Sequence, residues 1–191
     1  MAKEKTRCGW CLSDPIYIKY HDEEWGKETH DDKVLFEFLV LESAQAGLSW
    51  ITVLRKRAGY KKAFANFDAK KIAKFDENKV EELMQFEGII RNRLKIKSAI
   101  SNAQIFLTIQ KEFGSFDTYL YSFMPNQKRI VHKRKSLKDI PSSSPESDAI
   151  SKDLKKRGFK FFGTTICYAH MQATGMVNDH LVDCHCYESN S

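Results

Sequence analysis

Apolar residues recur with helical spacing along almost the whole chain. From Asp31 to about Ala46, Val34, Leu35, Phe38, Leu39 and Leu41 predict one buried face, with Asp32, Lys33, Glu37 and Glu42 on the polar side. Gly47 breaks that pattern, and Ser49 can cap a second helix through about Arg57. Asp68 and Asp76 stand before two short amphipathic runs, 69–75 and 77–86, and Gly88 ends the second. A long helix follows from Arg91 to Lys111, carrying Leu94, Ile96, Ile100, Ile105 and Leu107, and Ser115 starts another through Phe123. Residues 125–145 are basic, then rich in Ser and Pro, and read as a surface connection. Ser144-Pro145-Glu146 opens a helix that should stop at Gly158, because proline suits the first turn and acid suits the positive end of the dipole. Thr164 to Thr174 is a further helix closed by Gly175. Strand signals are confined to pieces such as 159–162, so the expected fold is all-α, without repeats or an obvious linker.

Composition narrows the class. The 191 residues are 42% hydrophobic and 29% charged, which is ordinary globular composition and enough chain for one sizeable core. The longest apolar stretch, 34–41, is interrupted by Glu37 and falls well short of the ~20 residues a membrane span needs. No charged-then-apolar signal precedes Cys8, so the expected location is cytoplasmic. The net charge of +6 is uneven. Residues 1–50 hold 6 basic and 10 acidic groups, yet they contain all three tryptophans, Trp10, Trp25 and Trp50. The remainder holds 25 basic groups against 15 acidic.

The five cysteines crowd towards the two ends. Cys8 with His21 and His180 with Cys184 would together make a closed tetrahedral Cys2His2 zinc site, structural rather than catalytic. A rival set takes Cys8-x-x-Cys11 with Cys184-x-Cys186, and CGWC also has the spacing of a redox dithiol. The redox motif would need a preceding strand in an α/β fold, and none is expected here. Unrelated thiols explain the spacing equally well. A metal joining the two ends would close a loop of nearly the whole chain and restrict the unfolded ensemble.

Tyr17, Tyr20, His21 and Trp25 are packed into one short segment with Asp22, Glu23 and Glu24. Glu42 either belongs to the exposed stripe with Glu37 or faces inward near the Gly47 break and Trp50. In the second case an acid walled by aromatic rings would attract a flat cationic ligand through charge, stacking and cation–π contact. Three runs are strongly basic: 91–97, 128–138 and 152–160. Any one of them could be a solvated face. Glu87-Gly88-Ile89-Ile90-Arg91, between two helices, has the shape of a helix–hairpin–helix turn whose backbone amides reach a phosphate.

Six segments carry a resemblance: RCGW (7–10), DP-Y--YHDEEWG (14–26), LE--QAGLSWITVL (41–54), GIIRNR-KI (88–96), SKDLKKRGFKF-GTTICY (151–168) and MQATGMVNDHLVDCHCY (171–187). Over essentially its full length the chain resembles the DNA-3-methyladenine glycosylase I family of the helix–hairpin–helix glycosylase superfamily. The resemblance implies a single all-α domain over 1–191 with two helical lobes, a helix–hairpin–helix at about 77–111, and terminal zinc-binding segments 8–21 and 180–184. It implies monofunctional hydrolysis of the N-glycosidic bond of 3-methyladenine in alkylated double-stranded DNA, releasing the free base without strand cleavage. Carried over by position, the zinc ligands become Cys8, His21, His180 and Cys184, and Cys11 lies outside the family pattern. Glu42 and Tyr20 become the catalytic pair of a base pocket completed by Trp50, Trp10 and Trp25. Leu48 beside Gly47 becomes the wedge that fills the gap left by the base, and Gly88, Ile89, Ile90 and Arg91 the hairpin on the DNA backbone. A monomer without membrane contact is expected.

Overall fold

The computed structural model describes residues 5–187; the ends of the expected 1–191 domain, residues 1–4 and 188–191, lie outside them. Among the described residues the helices are α1 (Pro15–Glu23), α2 (Asp32–Gln45), α3 (Trp50–Ala63), α4 (Ala69–Ile72), α5 (Glu77–Gln85), α6 (Arg93–Phe113), α7 (Phe116–Tyr121), α8 (Pro145–Lys156) and α9 (Thr164–Ala173). Most start on a side chain that accepts a backbone amide. Asp31 takes the Lys33 amide at 2.8 Å, Asp76 that of Lys79 at 2.9 Å and Asn92 that of Lys95 at 3.1 Å. Ser49 occupies the expected cap position of α3, but its hydroxyl meets the Thr52 hydroxyl at 2.8 Å instead of an amide.

Helix α2 is the central strut. It packs against α3, α6, α7 and α9, and its buried residues run unbroken from Phe38 to Ala44. Burial on all sides is why its sequence shows a poor polar stripe. Glu42 is 3% exposed and so departs from the stripe it would share with Glu37, whose carboxylate pairs with Arg57 at 2.6 Å. Two hydrophobic clusters result. The larger draws on every helix from α2 to α9, around Phe36, Phe106, Phe116 and Tyr168. The smaller gathers Cys8, Tyr20, Trp25, Phe38, Leu54 and Cys184, and Trp50 packs against both.

Helix α3 runs beyond the expected Arg57 stop because Gly59 serves packing rather than termination. A Cβ on Gly59 would lie 2.0 Å from the Gly88 carbonyl oxygen, so α3 meets the α5–α6 turn backbone to backbone. The expected surface connection also has structure. Its β1 (Ile130–Val131) pairs in parallel with β2 (Val177–Asn178), aligning Ile130 with Val177, and an Arg134–Leu181 bridge continues the pairing. Residues 159–162 form no strand; Phe159 and Phe162 are buried, and Phe161 adopts φ +55°. No helix among the described residues is long and apolar enough to cross a membrane.

Candidate functional site

The chain's two ends meet at a buried cluster. Cys8, His21, His180 and Cys184 present their ligand atoms within 4.8 Å of one another. The Cys184 sulfur lies 3.4 Å from His21 Nε2 and 3.5 Å from His180 Nδ1, and the Cys8 sulfur lies 3.6 Å from His180 Nδ1. Sulfur and nitrogen at about 2.3 and 2.0 Å from one tetrahedral zinc would stand about 3.5 Å apart, so the donor set fits such an ion. The other nitrogen of each histidine is committed outward. His21 Nδ1 meets Asp22 Oδ1 at 2.8 Å and His180 Nε2 meets the Trp25 carbonyl at 3.0 Å, which aims the remaining nitrogens at the cluster. Arg7 grips Asp22 in turn, with Nε at 3.0 Å and Nη2 at 2.8 Å. Backbone amides of Leu181 and Cys186 each donate to a cluster sulfur at 3.5 Å. Hydrogen bonds from Cys8 foremost, and from both histidines, pull the Cys184 thiol well below its ordinary range.

Of the rival cysteines, Cys11 sits apart from this arrangement, while Cys186 shares two smaller groups, one with Cys184 and His185 and one with His21 and Asp22. The Cys11 thiol donates to the Cys8 carbonyl at 3.1 Å, and burial pushes it up to about 11, the wrong direction for a reactive dithiol. Cys186 lies at the margin, 3.4 Å from His185 Nε2 and 4.0 Å from His21 Nδ1.

Against the cluster lies a cleft of about 240 Å³ whose walls include Trp10, Tyr20, Trp25, Glu42 and Trp50. Helix α1 supplies Tyr20, α2 supplies Glu42, and α3 begins with Trp50. The rings form a continuous wall, with Tyr20 5.6 Å from Trp50 and Trp10 5.0 Å from Trp25 between centroids. Glu42 Oε2 and Trp50 Nε1 are buried without a hydrogen-bond partner. With burial unopposed, the Glu42 carboxyl is pushed up to about 8. Two larger hollows, of about 530 and 560 Å³ beside α4 and α8, contain no such orphaned group among the described residues. The cleft is therefore the candidate ligand site.

Periodicity alone did not point to Tyr17, Gln45, Ile140 and Gln172, which also line the cleft. Tyr17 and Gln45 each stand three positions from a predicted residue on the same helix, a usable signal; Ile140 arrives from the distant 125–145 segment. Gln172 is held by a buried carboxylate that sequence reasoning missed. Asp179 accepts from Tyr168 Oη at 2.6 Å, Gln172 Nε2 at 2.8 Å, Arg134 Nε at 2.8 Å and His132 Nδ1 at 2.9 Å.

The expected DNA-facing residues fall at two turns. Gly47 (φ +78°) and Leu48 join α2 to α3, and the Leu48 side chain is 39% exposed. Gly88 to Arg91 lie in the turn between α5 and α6. There the Ile89 side chain is buried in the core, and the Ile90 amide donates to Tyr60 Oη at 3.2 Å, which ties the turn to α3.

The family model for methyladenine glycosylase matches residues 10–187. DNA-3-methyladenine glycosylase 1 of Escherichia coli (strain K12) is 52% identical over 184 residues, covering 96% of this chain and 98% of that protein. A crystal structure of 3-methyladenine DNA glycosylase I superposes with a TM-score of 0.92 at 50% identity, covering 95% of this chain and 100% of the other. The Staphylococcus aureus 3-methyladenine DNA glycosylase I, solved to explain its recognition of 3-methyladenine, gives 0.91 at 36% identity over 95% and 96%. The Cys/His clasp, the aromatic cleft and the hairpin turn sit on a fold shared along its whole length, and the chain belongs to the methyladenine glycosylase family.

Proposed function

We propose that the chain acts in base-excision repair as a monofunctional DNA-3-methyladenine glycosylase. It flips 3-methyladenine out of alkylated duplex DNA, hydrolyses the N-glycosidic bond and leaves an abasic site. The observation that carries this reading is Glu42, a buried carboxyl with an unpartnered oxygen among aromatic rings. Methylation at N3 makes adenine cationic and weakens its glycosidic bond, so extraction, desolvation and recognition can replace leaving-group protonation. The arriving positive charge favours the ionised form of Glu42, whose proton leaves to water, and the carboxylate accepts a hydrogen bond from the exocyclic amine. Neutral adenine supplies no charge to offset ionisation of the buried carboxyl, so it gains none of the charge-assisted pairing that favours the methylated base. Tyr20 completes polar recognition, Trp50 supplies a stacking face, and Trp10 and Trp25 close the walls.

Leu48 fills the gap left by the base, and the hairpin at Gly88 to Arg91 holds the DNA backbone. Cys8, His21, His180 and Cys184 hold one zinc ion whose service is structural, since four protein donors leave no open position for water or substrate. The enzyme works as a cytoplasmic monomer, as one domain over 1–191. No lysine is assigned as a Schiff-base nucleophile, so no lyase step is expected.

Incubation with methylated duplex DNA, followed by chromatography of released bases, tests the reading. Free 3-methyladenine should appear while the strand stays intact until alkali is added. A folded preparation that binds methylated DNA and releases no base would reduce the chain to a damage-binding module.

A further inference from the structure

Of the four basic residues in the run 91–97, Lys95 is the one turned inward to cap another helix. Arg93 pairs with Glu77 and Glu81, and Lys97 pairs with Glu77 at 2.9 Å. Lys95 has no carboxylate partner among the described residues. Its Nζ donates instead to two backbone carbonyls at the end of α2, Ala44 at 2.8 Å and Ala46 at 2.6 Å. Those oxygens belong to the unpaired C-terminal carbonyls of the helix, its negative pole, where a cation is favoured. The position is costly from the other side, because Lys95 lies in the first turn of α6, at that helix's positive pole, and burial lowers its pKa.

Immediately beyond Ala46 the chain turns through Gly47 at φ +78°, and the Leu48 amide donates back to the Gln45 carbonyl at 2.6 Å. One side chain thus ties the hairpin's second helix to the turn bearing Leu48, just past the helix end that carries Glu42 and Gln45. We propose that Lys95 is a positioning residue for base extraction: it fixes the Gly47–Leu48 turn relative to the α5–α6 hairpin, so that duplex held by one is opened by the other. The inference rests on reading Leu48 as the wedge. Lys95 touches neither base nor sugar, and its effect falls on opening the pair.

The test compares Lys95→Met, Lys95→Arg and Leu48→Ala in single-turnover release of 3-methyladenine. Substrates are a fully paired duplex and a duplex with the lesion opposite an abasic position, where extraction costs least. Binding of free 3-methyladenine is followed by tryptophan fluorescence. Lys95→Met should slow release from paired duplex by about 10- to 100-fold, the scale expected when a catalytic geometry is displaced by about an ångström. Free-base binding should stay unchanged, the loss should shrink opposite the abasic position, and Lys95→Arg should recover most of the rate. Three results overturn the proposal: a wild-type rate for Lys95→Met, an equal loss on both substrates, or free-base binding that falls in step with release. Leu48→Ala tests the underlying reading separately. A normal rate there removes Leu48 as wedge whatever Lys95→Met does, and a slow Leu48→Ala beside a normal Lys95→Met removes only Lys95.

Discussion

Two buried carboxylates, one joining α9 to the 125–145 segment and one in the cleft, show opposite uses of burial. Asp179 is 0% exposed. Burial alone would raise its pKa, but hydrogen bonds from Tyr168, Arg134 and Gln172 outweigh it and hold the group below the usual carboxylate range. Glu42 is as deeply buried, has an oxygen with no partner and is pushed up to about 8. The Asp179 site is electrostatically finished, whereas the cleft is left incomplete in a way that a cationic ligand would complete. Burial of an acid by itself says little about its role; the number of donors around it separates an internal strut from a recognition group.

The most severe challenge to the clasp is metal removal. Structural zinc contributes on the order of 10 kcal/mol in small metallo-domains. Chelation should therefore lower the calorimetric Tm more than any single substitution and release about one zinc per chain. Cys184→Ser should lose the ion and Cys186→Ser should keep it; the opposite pattern would move the metal to the rival cysteines. Next in size is Asp179→Ala, which leaves buried Tyr168 and part-buried Arg134 and Gln172 without their common acceptor and should cost about 1–3 kcal/mol in chemical denaturation. A loss below about 1 kcal/mol, the size of an exposed pair, would erase the contrast between the two sites.

Glu42→Gln is the mildest change for the fold and the sharpest for the cleft. The folded chain holds the Glu42 proton up to about pH 8, whereas an unperturbed glutamate releases it at 4.5. Between those values the folded state binds more protons, so the Glu42 contribution to stability falls as pH rises and levels off above about 8. Wild type and Glu42→Gln should melt together near about pH 5, and the variant should melt higher at about pH 8, at roughly 2–4 °C per kcal/mol for a chain of this length. Base release should fall at both pH values. Parallel melting curves would show that Glu42 ionises normally in the folded chain and would end its special status.

Much of this was readable from the chain, for reasons that differ by element. Helices α2, α5, α6, α8 and α9 lie within about two residues of their expected bounds, because caps and apolar spacing are local signals. Helix α1 escaped although Asp14-Pro15 is a good start, since its Tyr17, Tyr20 and His21 face a cleft and a metal cluster instead of an apolar core. The paired strands, two residues each, join positions 130–131 to 177–178, and no local pattern encodes such a match. Cys8, His21, His180 and Cys184 were visible as chemistry, yet spacing left rival sets open, and only the fold shows that these four buried side chains converge. Asp179 was invisible because its donors come from four scattered positions, and a lone acid beside His180 advertises none of them.

The contact between Gly59 and Gly88 has a consequence for measurement along DNA. Where the two turns of chain touch, no side chain intervenes, so their spacing does not depend on any rotamer. Helix α3 carries Trp50 at one end of this rigid coupling, and the hairpin sits at the other. If the hairpin grips one phosphate, the pocket is calibrated to one nucleotide at a set offset from it. A single added methyl at Gly59 would act as a miscut on a ruler, shifting every reading by the same amount.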